Sequence, residues 1–383
     1  MSFHSRLLYR SFFTSSSATA PTHPTLKIMV DDLYKERNLK RVVEKFKQFS
    51  ECDRFRCKDG IYAVTIRRLA SAKRFSSIEE IIEDQKKYKD ISREGFVIRL
   101  ISLYGKSGMF DHASKTFDEM PKLKCERTVK SFNALLTACL DSENFDKVHK
   151  VFRELPSNLS INPDVFSYNI VIQAFCEMGS LDSALSMLDE MEKKGVSPNL
   201  ITFNTLLNGF YGGDRFSDGE RIWGRMKKSN FVPDIRSFNA KLQGLVLGGK
   251  MAEAVKLVEE LGTWGLKPDI FSFNALIKGF CHNGNLEKAK MIYSELAQND
   301  CVSNRSTFQT LVPCLCKNGD FELALKLCKE SISSRSFVDV ALLQVVVDGL
   351  VKGSKVVEAK KLVELGWVNS YSHSSLKMPT EVE

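Results

Sequence analysis

Amide side chains recur along the chain at a constant interval, and their chemistry gives the first indication of what the protein does. Four asparagines are spaced 35 residues apart and two glutamines continue the series: Asn169, Asn204, Asn239, Asn274, Gln309 and Gln344. A carboxamide carries both a hydrogen-bond donor and an acceptor, but it does not act as an acid or a base. A regular row of amides therefore favours hydrogen-bonded recognition over bond-making chemistry.

Side chains that commonly carry catalysis do not form a recognisable set. The histidines at 112, 149, 282 and 373 lack metal-ligand spacing, and they are interpreted as scattered surface residues. No Gly-x-x-x-x-Gly-Lys-Ser/Thr motif is present, since the "GGKMAEA" stretch at 248–254 is a turn of the repeat. The sequence predicts no cofactor, no small-molecule substrate and no enzymatic activity.

The ten cysteines are interpreted as packing residues in a reducing compartment. Cys176, Cys281 and Cys316 recur at one place in the repeat, always after an apolar residue. Cys314 and Cys316 are two residues apart, but no second close pair or paired histidine completes a tetrahedral zinc site. We therefore expect neither a metal site nor disulfide bonds.

Length and charge limit the architecture without fixing the function. The chain has 383 residues, more than one compact core usually organises. No Pro/Gly/Ser-rich linker divides its middle, which favours an elongated array of units that contact only their neighbours. The net charge of +8 is compatible with a polyanionic partner, but many unrelated proteins share it.

The first thirty residues have the composition of a targeting segment. No acidic residue precedes Asp31, while Arg6, Arg10 and a run of serines at 15–17 lie among large apolar residues. This pattern predicts a transit peptide over residues 1–23 and a location in the mitochondrial matrix rather than the plastid. No run of eighteen apolar residues occurs, so no membrane span is expected.

Three further series share the 35-residue period of the amides, which makes an internal repeat the basis of the fold. Small residues recur at Ala184, Gly219, Ala254, Ala289, Ala324 and Ala359. Prolines recur at 198, 233 and 268, and glycines at 179, 249, 284 and 319, with Asp214 at the missing step.

Each unit is predicted to form two helices. Phe203, Leu206, Leu207 and Phe210 make one apolar stripe on a first helix, which ends near a glycine in the left-handed conformation. Ala254, Leu257, Val258 and Leu261 repeat the spacing on a second helix, and a proline turn then closes the unit. Neither helix can bury its stripe alone, so the units must stack.

The register gives full units at 129–164, 165–199, 200–234, 235–269, 270–304 and 305–339, with weaker units at 59–93 and 94–128. The stretches 24–58 and 340–374 are degenerate and are expected to cap the ends. The predicted organisation is a transit peptide at 1–23, degenerate N-terminal repeats at 24–128, core repeats at 129–339, and a capping repeat with a tail at 340–383.

The units are similar to a known repeat. The stretches "LITFNTLLNGFYGGDRFSDGERIWGRMKKSNFVPD" and "IFSFNALIKGFCHNGNLEKAKMIYSELAQNDCVSN" resemble the pentatricopeptide repeat of plant organelle proteins. The 34-residue tetratricopeptide repeat is distinguished by its Trp-x-x-Leu-Gly-x-x-Tyr pattern, which is absent. The resemblance covers roughly residues 59–365. It implies an all-α, right-handed superhelical solenoid of about ten 35-residue helix-turn-helix repeats that binds single-stranded RNA, one base per unit.

The resemblance also implies which residues meet the RNA. The fifth and last residues of a unit would face the base edge: Asn133 with Asp164, Asn169 with Asn199, Asn204 with Asp234, Asn239 with Asp269, Asn274 with Asn304, and Gln309 with Asp339. An Asn–Asp pair would favour uracil and an Asn–Asn pair a pyrimidine, which gives the footprint U-pyrimidine-U-U-pyrimidine. The bland alternative is that an asparagine near a helix start is only a local cap.

Two other positions of the unit are implied to touch RNA. The second residue would stack on the base, and it is Lys130, Phe166, Ile201, Arg236, Phe271 or Ser306, of which Ser306 would contribute little. The thirteenth residue often is a lysine that contacts phosphate in this family, but here it is Lys106, Asp141, Glu177, Gly212, Leu247, His282 or Lys317. Two acids at these positions predict modest, salt-sensitive binding.

Two functions remain open from the sequence. The first is occupancy of U/C-rich RNA, mRNA or rRNA, in mitochondrial RNA metabolism or translation. The second is a structural or translational component associated with the mitochondrial ribosome, because the footprint is too short to select one transcript. A zinc deaminase is not expected, since the His-x-Glu and Cys-x-x-Cys signatures are missing.

Overall fold

The computed structural model describes residues 25–336, 338–369, 371 and 375–379, and every regular element in these ranges is helical. The predicted transit segment at 1–23 lies outside them. Two compact units are present, an N-terminal unit that ends at Glu143 and a C-terminal unit that begins at Asn144. The division falls inside the predicted repeat 129–164, between its two helices.

The N-terminal unit consists of helical hairpins and short connecting helices. Its α-helices are α1 (Leu26–Lys35), α2 (Leu39–Phe49), α3 (Asp53–Arg56), α4 (Asp59–Ser71), α5 (Phe75–Gln85), α6 (Glu94–Gly105), α7 (Phe110–Glu119) and α8 (Val129–Asp141). A 3₁₀ helix at Lys89–Ser92 precedes α6. The predicted stretches 24–58, 59–93 and 94–128 thus each contain a pair of longer helices, with the short α3 added in the first and the 3₁₀ helix in the second.

The C-terminal unit repeats one hairpin with little variation. Its α-helices are α9 (Phe145–Leu159), α10 (Val165–Glu177), α11 (Leu181–Lys193), α12 (Leu200–Gly212), α13 (Phe216–Lys228), α14 (Ile235–Leu247), α15 (Met251–Glu259), α16 (Ile270–His282), α17 (Leu286–Gln298), α18 (Arg305–Lys317), α19 (Phe321–Ser333), α20 (Val340–Lys352) and α21 (Val356–Val368). The first helix of each hairpin packs against the first helix of the next, from α10 to α20.

Local sequence explains where these helices begin and end. The first helices α10, α12, α14 and α16 start after proline turns, because proline holds the residue before it out of the helical conformation and the residue after it caps the helix. They end before a left-handed residue, which is Gly249 (φ 70°) after α14 and Gly284 (φ 70°) after α16. Asp214, which interrupts the glycine series, adopts the same conformation with φ 57°. The turn therefore requires the left-handed geometry whichever residue occupies it.

Small residues on the first helices allow consecutive hairpins to approach. A Cβ added at Gly244 would lie 2.9 Å from Tyr211 Cβ, and one added at Gly209 would lie 2.6 Å from Cys176 Sγ. The tenth residue of one first helix therefore faces the twelfth residue of the preceding one. This contact explains why cysteines recur at one place in the repeat, since the thiol of Cys176 fills the space that a glycine leaves.

The cysteines behave as packing residues in the described structure. All ten are free thiols, and only Cys57 is exposed. Burial raises the pKa of Cys176 to about 12, so its thiol stays protonated and unreactive at neutral pH. Within the described residues, no group of three or more His, Cys, Asp or Glu side chains is placed to hold a metal ion. In that same part of the chain, no helix has the length and apolarity needed to cross a bilayer.

The predicted second-helix stripe is buried at its two ends and partly buried between them. Ala254 and Leu261 are buried, whereas Leu257 and Val258 are partly buried against the core. α15 ends at Glu259 and continues as a 3₁₀ helix over Glu260–Trp264. Ion pairs also join second helices of neighbouring hairpins, such as Arg153 with Glu190 and Arg225 with Glu192.

Candidate nucleic-acid interface

The last residue of five of the six core repeats caps the first helix of the next repeat. The capping residues are Asp164, Asn199, Asp234, Asp269 and Asn304, and the third residue of each capped helix is a serine or threonine that completes a capping box. The asparagines of the 35-residue series are not caps, because each is the fifth residue of its first helix. The cap interpretation is thus wrong for the asparagines, and the caps are their partners instead.

A network of three side chains joins neighbouring repeats, and the set Asn204, Asp234 and Ser237 shows it clearly. The Asn204 amide nitrogen donates to Asp234 Oδ1 at 3.0 Å, and the Ser237 hydroxyl donates to Asn204 Oδ1 at 2.6 Å. The same Asp234 Oδ1 accepts from the Ser237 backbone N–H at 2.9 Å. The asparagine of one repeat is therefore fastened to the cap of the following helix.

The network recurs at four consecutive junctions with similar distances. In each, the asparagine nitrogen lies 3.0–3.3 Å from the cap oxygen, and the hydroxyl lies 2.6–2.8 Å from the asparagine oxygen. The four sets, here called the recognition triads, are Asn169–Asn199–Thr202, Asn204–Asp234–Ser237, Asn239–Asp269–Ser272 and Asn274–Asn304–Thr307.

Hydrogen-bond chemistry fixes the orientation of each amide. A carboxylate oxygen only accepts, so the amide must turn its nitrogen towards Asp234 and its oxygen towards Ser237. Asn204 then keeps one N–H that no residue in the described part of the chain accepts. There, Asp234 Oδ2 and the amide nitrogen of Asn199 also lack hydrogen-bond partners. A triad with an aspartate thus offers a donor beside an acceptor, and one with two asparagines offers two donors.

Only a small part of each asparagine reaches the surface. Asn169, Asn204 and Asn274 are 7–8 % exposed, and Asn239 is half-buried. Their capping partners are half-buried. The limited exposure leaves room for contact with an edge of a ligand, but not for a ligand that surrounds the amide.

The side chains of the predicted stacking residues are exposed to solvent. Phe166, Ile201 and Phe271 are 57 %, 50 % and 67 % exposed, so their apolar faces are open to a ligand. Lys130, Arg236 and Ser306 are exposed as well. A groove of about 770 Å³ is lined by Arg236, Asn239, Asp269, Phe271, Asn274 and Lys278 among others. This groove brings aromatic, cationic and amide side chains together.

The sixth pair does not form a triad. Asp339 makes no side-chain cap, and its carboxylate lies 3.4 Å from the Arg305 guanidinium. The third residue of α20 is Leu342, which has no hydroxyl to hold Gln309. Gln344 is also engaged elsewhere, since it donates to Asp348 and accepts from the Lys377 backbone.

The two residues of the first pair belong to different compact units, and the repeat before them has another residue type at the amide position. Asn133 lies half-buried in α8 of the N-terminal unit, whereas Asp164 caps α10 of the C-terminal unit. At the preceding junction, the Glu94 carboxylate accepts from the Thr128 hydroxyl at 2.7 Å and from the Ser131 backbone at 3.2 Å. Ile98 occupies the fifth position there, so this repeat offers no amide.

Sequence reasoning missed the hydroxyl of the triad. Thr202, Ser237, Ser272 and Thr307 form another 35-residue series and are completely buried. The sequence did contain a signal for it, because a small hydroxyl residue stands two positions before each amide of the 35-residue series from Asn169 to Gln309. The thirteenth residues, from Lys106 to Lys317, are all exposed at the ends of first helices, as a surface series requires.

Comparison with known families shows which family the chain matches. A profile described as "PPR repeat family" matches residues 163–212, 233–282 and 268–317. A second, described as "PPR repeat", matches residues 99–125, 130–158, 201–231 and 306–335. Together they cover more than half of the sequence. The chain belongs to the pentatricopeptide-repeat family.

Individual pentatricopeptide-repeat proteins are similar over part of this chain. Small ribosomal subunit protein mS78 (rPPR3a) of Arabidopsis thaliana is 52 % identical over 181 residues, 47 % of this chain and 46 % of the relative. A mitochondrial pentatricopeptide repeat-containing protein of the same plant is 46 % identical over 134 residues, 35 % of this chain and 32 % of the relative. The chain thus spans less than half of these relatives' length.

A solved structure of the family is similar in fold. The crystal structure of PPR10 from maize matches with a TM-score of 0.46 and 17 % identity, over 91 % of this chain and 59 % of that one.

Proposed function

We propose that this pentatricopeptide-repeat protein binds single-stranded RNA without catalysis, and that the recognition triads read one base each. The observation that carries the proposal is the repeated triad, which presents an oriented N–H and a second polar atom beside an exposed stacking residue. One triad in each 35-residue repeat suits a polymer ligand whose units share a backbone and differ at one edge. RNA with unstacked bases is such a polymer.

The open polar atoms favour particular bases. Uracil presents its O4 acceptor beside its N3–H donor, which complements the Asn204 N–H and the Asp234 carboxylate. Asn199 and Asn304 offer donors instead of an acceptor, and they suit a pyrimidine with an exposed ring acceptor. The four triads give pyrimidine-U-U-pyrimidine, and the Asn133–Asp164 pair adds a preceding uracil to complete the expected five-base footprint.

Guanine presents the same acceptor and donor as uracil on a larger ring, so it is the sharpest competitor. Binding should be measured by fluorescence anisotropy with an RNA that contains the pentamer UCUUC in an adenosine background. Each of its positions is then replaced in turn by adenosine and by guanosine. We expect each adenosine replacement to weaken binding about five-fold, which corresponds to one hydrogen bond of about 1 kcal/mol. The guanosine replacements of uracil keep its acceptor and donor and test whether the site admits the larger ring. Equal affinity for the pentamer and for polyadenosine would overturn base recognition.

The place of action that we propose is the mitochondrion. The acid-free, arginine-containing segment at 1–23 supports it, as does the similarity to a relative described as mitochondrial. Fusion of residues 1–30 to a fluorescent protein tests import directly. Diffuse fluorescence outside the organelle would contradict this assignment.

A second candidate function is a component of the mitochondrial ribosome. It is favoured by the similarity to a relative named as a small ribosomal subunit protein. It also accounts for a footprint of five bases, which recurs too often to select one transcript. Sucrose-gradient sedimentation of the tagged protein from mitochondria separates the two functions. Migration with the small subunit supports the second, and migration at the mass of the free protein supports the first.

A further inference from the structure

The net positive charge of the protein lies in one of its two compact units. Residues 25–143 contain 25 Lys and Arg against 19 Asp and Glu, whereas residues 144–383 contain 28 of each. The unit that carries the recognition triads is therefore neutral. Since phosphate contacts supply most of the affinity for nucleic acid, base recognition alone leaves the source of that affinity open.

Five cations of the N-terminal unit lie at the turns between paired helices. Lys35, Arg37 and Lys40 surround the turn between α1 and α2, and Lys73 and Arg74 form the turn between α4 and α5. We call these five residues the basic edge. All five are exposed. Lys73 adopts φ 55°, so its turn projects from the end of the hairpin as the glycine turns of the C-terminal unit do.

Contacts within the N-terminal unit place the two turns side by side. The Arg68 guanidinium, in the last turn of α4, donates to the Glu36 carbonyl in the α1–α2 turn. The Tyr62 hydroxyl at the other end of α4 donates to Gln85 Oε1 at 2.7 Å, and the Gln85 amide donates to Ser50 Oγ at 3.2 Å. Both ends of neighbouring hairpins are thus tied together, and their turns share one edge.

The cations of this edge are not neutralised. In the described chain, none of the five forms an ion pair or a hydrogen bond through its charged group. The carboxylate nearest in sequence belongs to Glu36, and it is already engaged by Lys45 at 3.1 Å and by the Asn38 backbone at 2.9 Å. Unpaired cations on adjacent rigid turns create a local positive potential, which attracts anions.

One turn of the C-terminal unit neutralises the cation at the position equivalent to Arg74. Arg215, in the turn before α13, binds the carboxylates of Asp182 and Asp218 at 2.7 Å and 2.6 Å. Lys317 and Lys352, at the ends of α18 and α20, are exposed and have no ion pair in the described chain. The position of Arg74 is therefore ion-paired at Arg215, while two other turns of the C-terminal unit keep single open cations.

Two aromatic side chains adjoin the basic edge. Tyr34 precedes Lys35 and is 42 % exposed, and Phe75 follows Arg74 and is 45 % exposed. Cations interleaved with exposed aromatic rings suit a strand that presents phosphates and unstacked bases, since the rings can stack on any base. An acidic protein surface would match the charges but would leave the two rings without partners.

We infer that the basic edge is a second RNA-binding site, which holds the phosphate backbone independently of sequence. The inference rests on the proposed function in that both take RNA as the ligand. In this arrangement, the N-terminal unit supplies affinity and salt dependence, and the triads of the C-terminal unit supply base preference. It also removes the difficulty that two thirteenth-position residues, Asp141 and Glu177, are acidic.

The test compares two full-length triple variants with the same change in charge. The edge variant carries Arg37→Gln, Lys73→Gln and Arg74→Gln. The control variant carries Lys193→Gln, Lys194→Gln and Lys228→Gln, which are exposed cations without ion pairs in the described C-terminal unit. Binding is measured against salt concentration with a single strand of about 20 adenosines, long enough for one or more sites of this kind. The UCUUC oligonucleotide is measured in parallel.

We expect the edge variant to lower the slope of log K against log salt by about 2, since each lost phosphate contact removes about 0.7. Its affinity for both RNAs falls about ten-fold at moderate salt, while the ratio between the two RNAs stays unchanged. The control variant keeps the wild-type slope. Equal losses in both variants, or an unchanged slope in the edge variant, would overturn the inference.

Further outcomes separate this inference from the proposed function. If wild type does not prefer UCUUC but the edge variant still loses slope, base recognition fails and the edge site stands. If the preference is present and the edge variant binds like wild type, the edge site fails alone. Binding of wild type to anionic phospholipid vesicles that disappears in the edge variant, with RNA binding intact, would assign the edge to a membrane surface and overturn the inference.

Discussion

Asn204 and Asp234 are joined by a hydrogen bond of 3.0 Å from the amide nitrogen to a carboxylate oxygen, although they belong to successive repeats. One carboxylate oxygen therefore caps α14 and holds the amide of α12 at the same time. Stability and the proposed base recognition share these atoms. A change at either residue alters both, and informative variants must keep one property while they change the other.

Asp234→Asn keeps the cap and changes the open atom. Asparagine and aspartate cap helices about equally well, so the thermal midpoint should move by no more than a few degrees. The acceptor becomes a donor, and preference for uracil over cytosine at the base facing Asn204 should fall about five-fold, close to 1 kcal/mol. Anisotropy with single-base variants of the RNA measures it. Asp146→Asn, an exposed change on α9, is the matched control, and a loss at every base would contradict the assignment.

Ser237→Ala removes the hydroxyl that orients the Asn204 amide. The capping box also loses a partner, so we expect a loss of about 1 kcal/mol in unfolding free energy. Discrimination should fall at one base and persist at the others. Urea unfolding and base-substituted RNAs report the two effects. Ser186→Ala is the control, because its hydroxyl bonds only the Asp182 carbonyl on the same helix and should leave discrimination unaltered.

The defective sixth junction can be repaired. Gln309→Asn with Leu342→Ser supplies both missing members of a triad around Asp339, and Leu342 is only partly buried. The double variant should acquire about a five-fold preference for uracil one position beyond the wild-type footprint. Gln309→Asn alone should not, since no hydroxyl would fix its amide. A gain in the single variant equal to that in the double would show that the hydroxyl is dispensable.

Gly349→Ala tests the close approach of a first helix, α20, to the second helix of the preceding hairpin, α19. The added Cβ would fall inside the ring of Phe321, which must move, so we expect destabilisation of about 1–3 kcal/mol. Gly224→Ala provides the control because its Cβ would meet nothing within 4 Å. In the middle of α13 it should stabilise by about 0.5–1 kcal/mol. Thermal midpoints that move in the same direction for both variants would refute the packing argument.

The Arg153–Glu190 pair should make stability depend on pH in the acid range. Its two contacts of 2.6 Å and 2.5 Å join α9 to α11, and the Arg153 guanidinium holds the pKa of Glu190 below its ordinary value of 4.5. A lowered pKa stabilises the fold above pH 4.5, and the contribution disappears as the pH falls through the folded-state pKa.

Glu190→Gln should therefore be less stable than wild type at pH 7, by up to about 1 kcal/mol because both side chains are partly exposed. The difference should shrink towards pH 3. Thermal midpoints at the two pH values measure it, and Glu154→Gln, an exposed residue of α9 without an ion pair in the described chain, should show no such convergence. A difference that persists at pH 3 would mean that shape, not charge, is responsible.

The sequence by itself determined the repeat. Helix boundaries, left-handed turns and small contact residues depend on residue types that are close together in the sequence. Because the same residue types return every 35 residues, the pattern can be recognised from the sequence alone. The row of amides was visible for the same reason. Even Asp214 could be placed in a glycine position, because the register identified the turn before any contact was known.

Tertiary structure decided which polar atoms remain available. Asn204, Asp234 and Ser237 are 30 and 3 residues apart along the chain, and only the stacking of hairpins brings them within hydrogen-bond distance. The same stacking leaves the Gln309–Asp339 pair outside the triads, although its spacing along the chain is like theirs. Hairpin stacking also determines which cations are neutralised, because an ion pair between hairpins joins side chains that are far apart in the sequence.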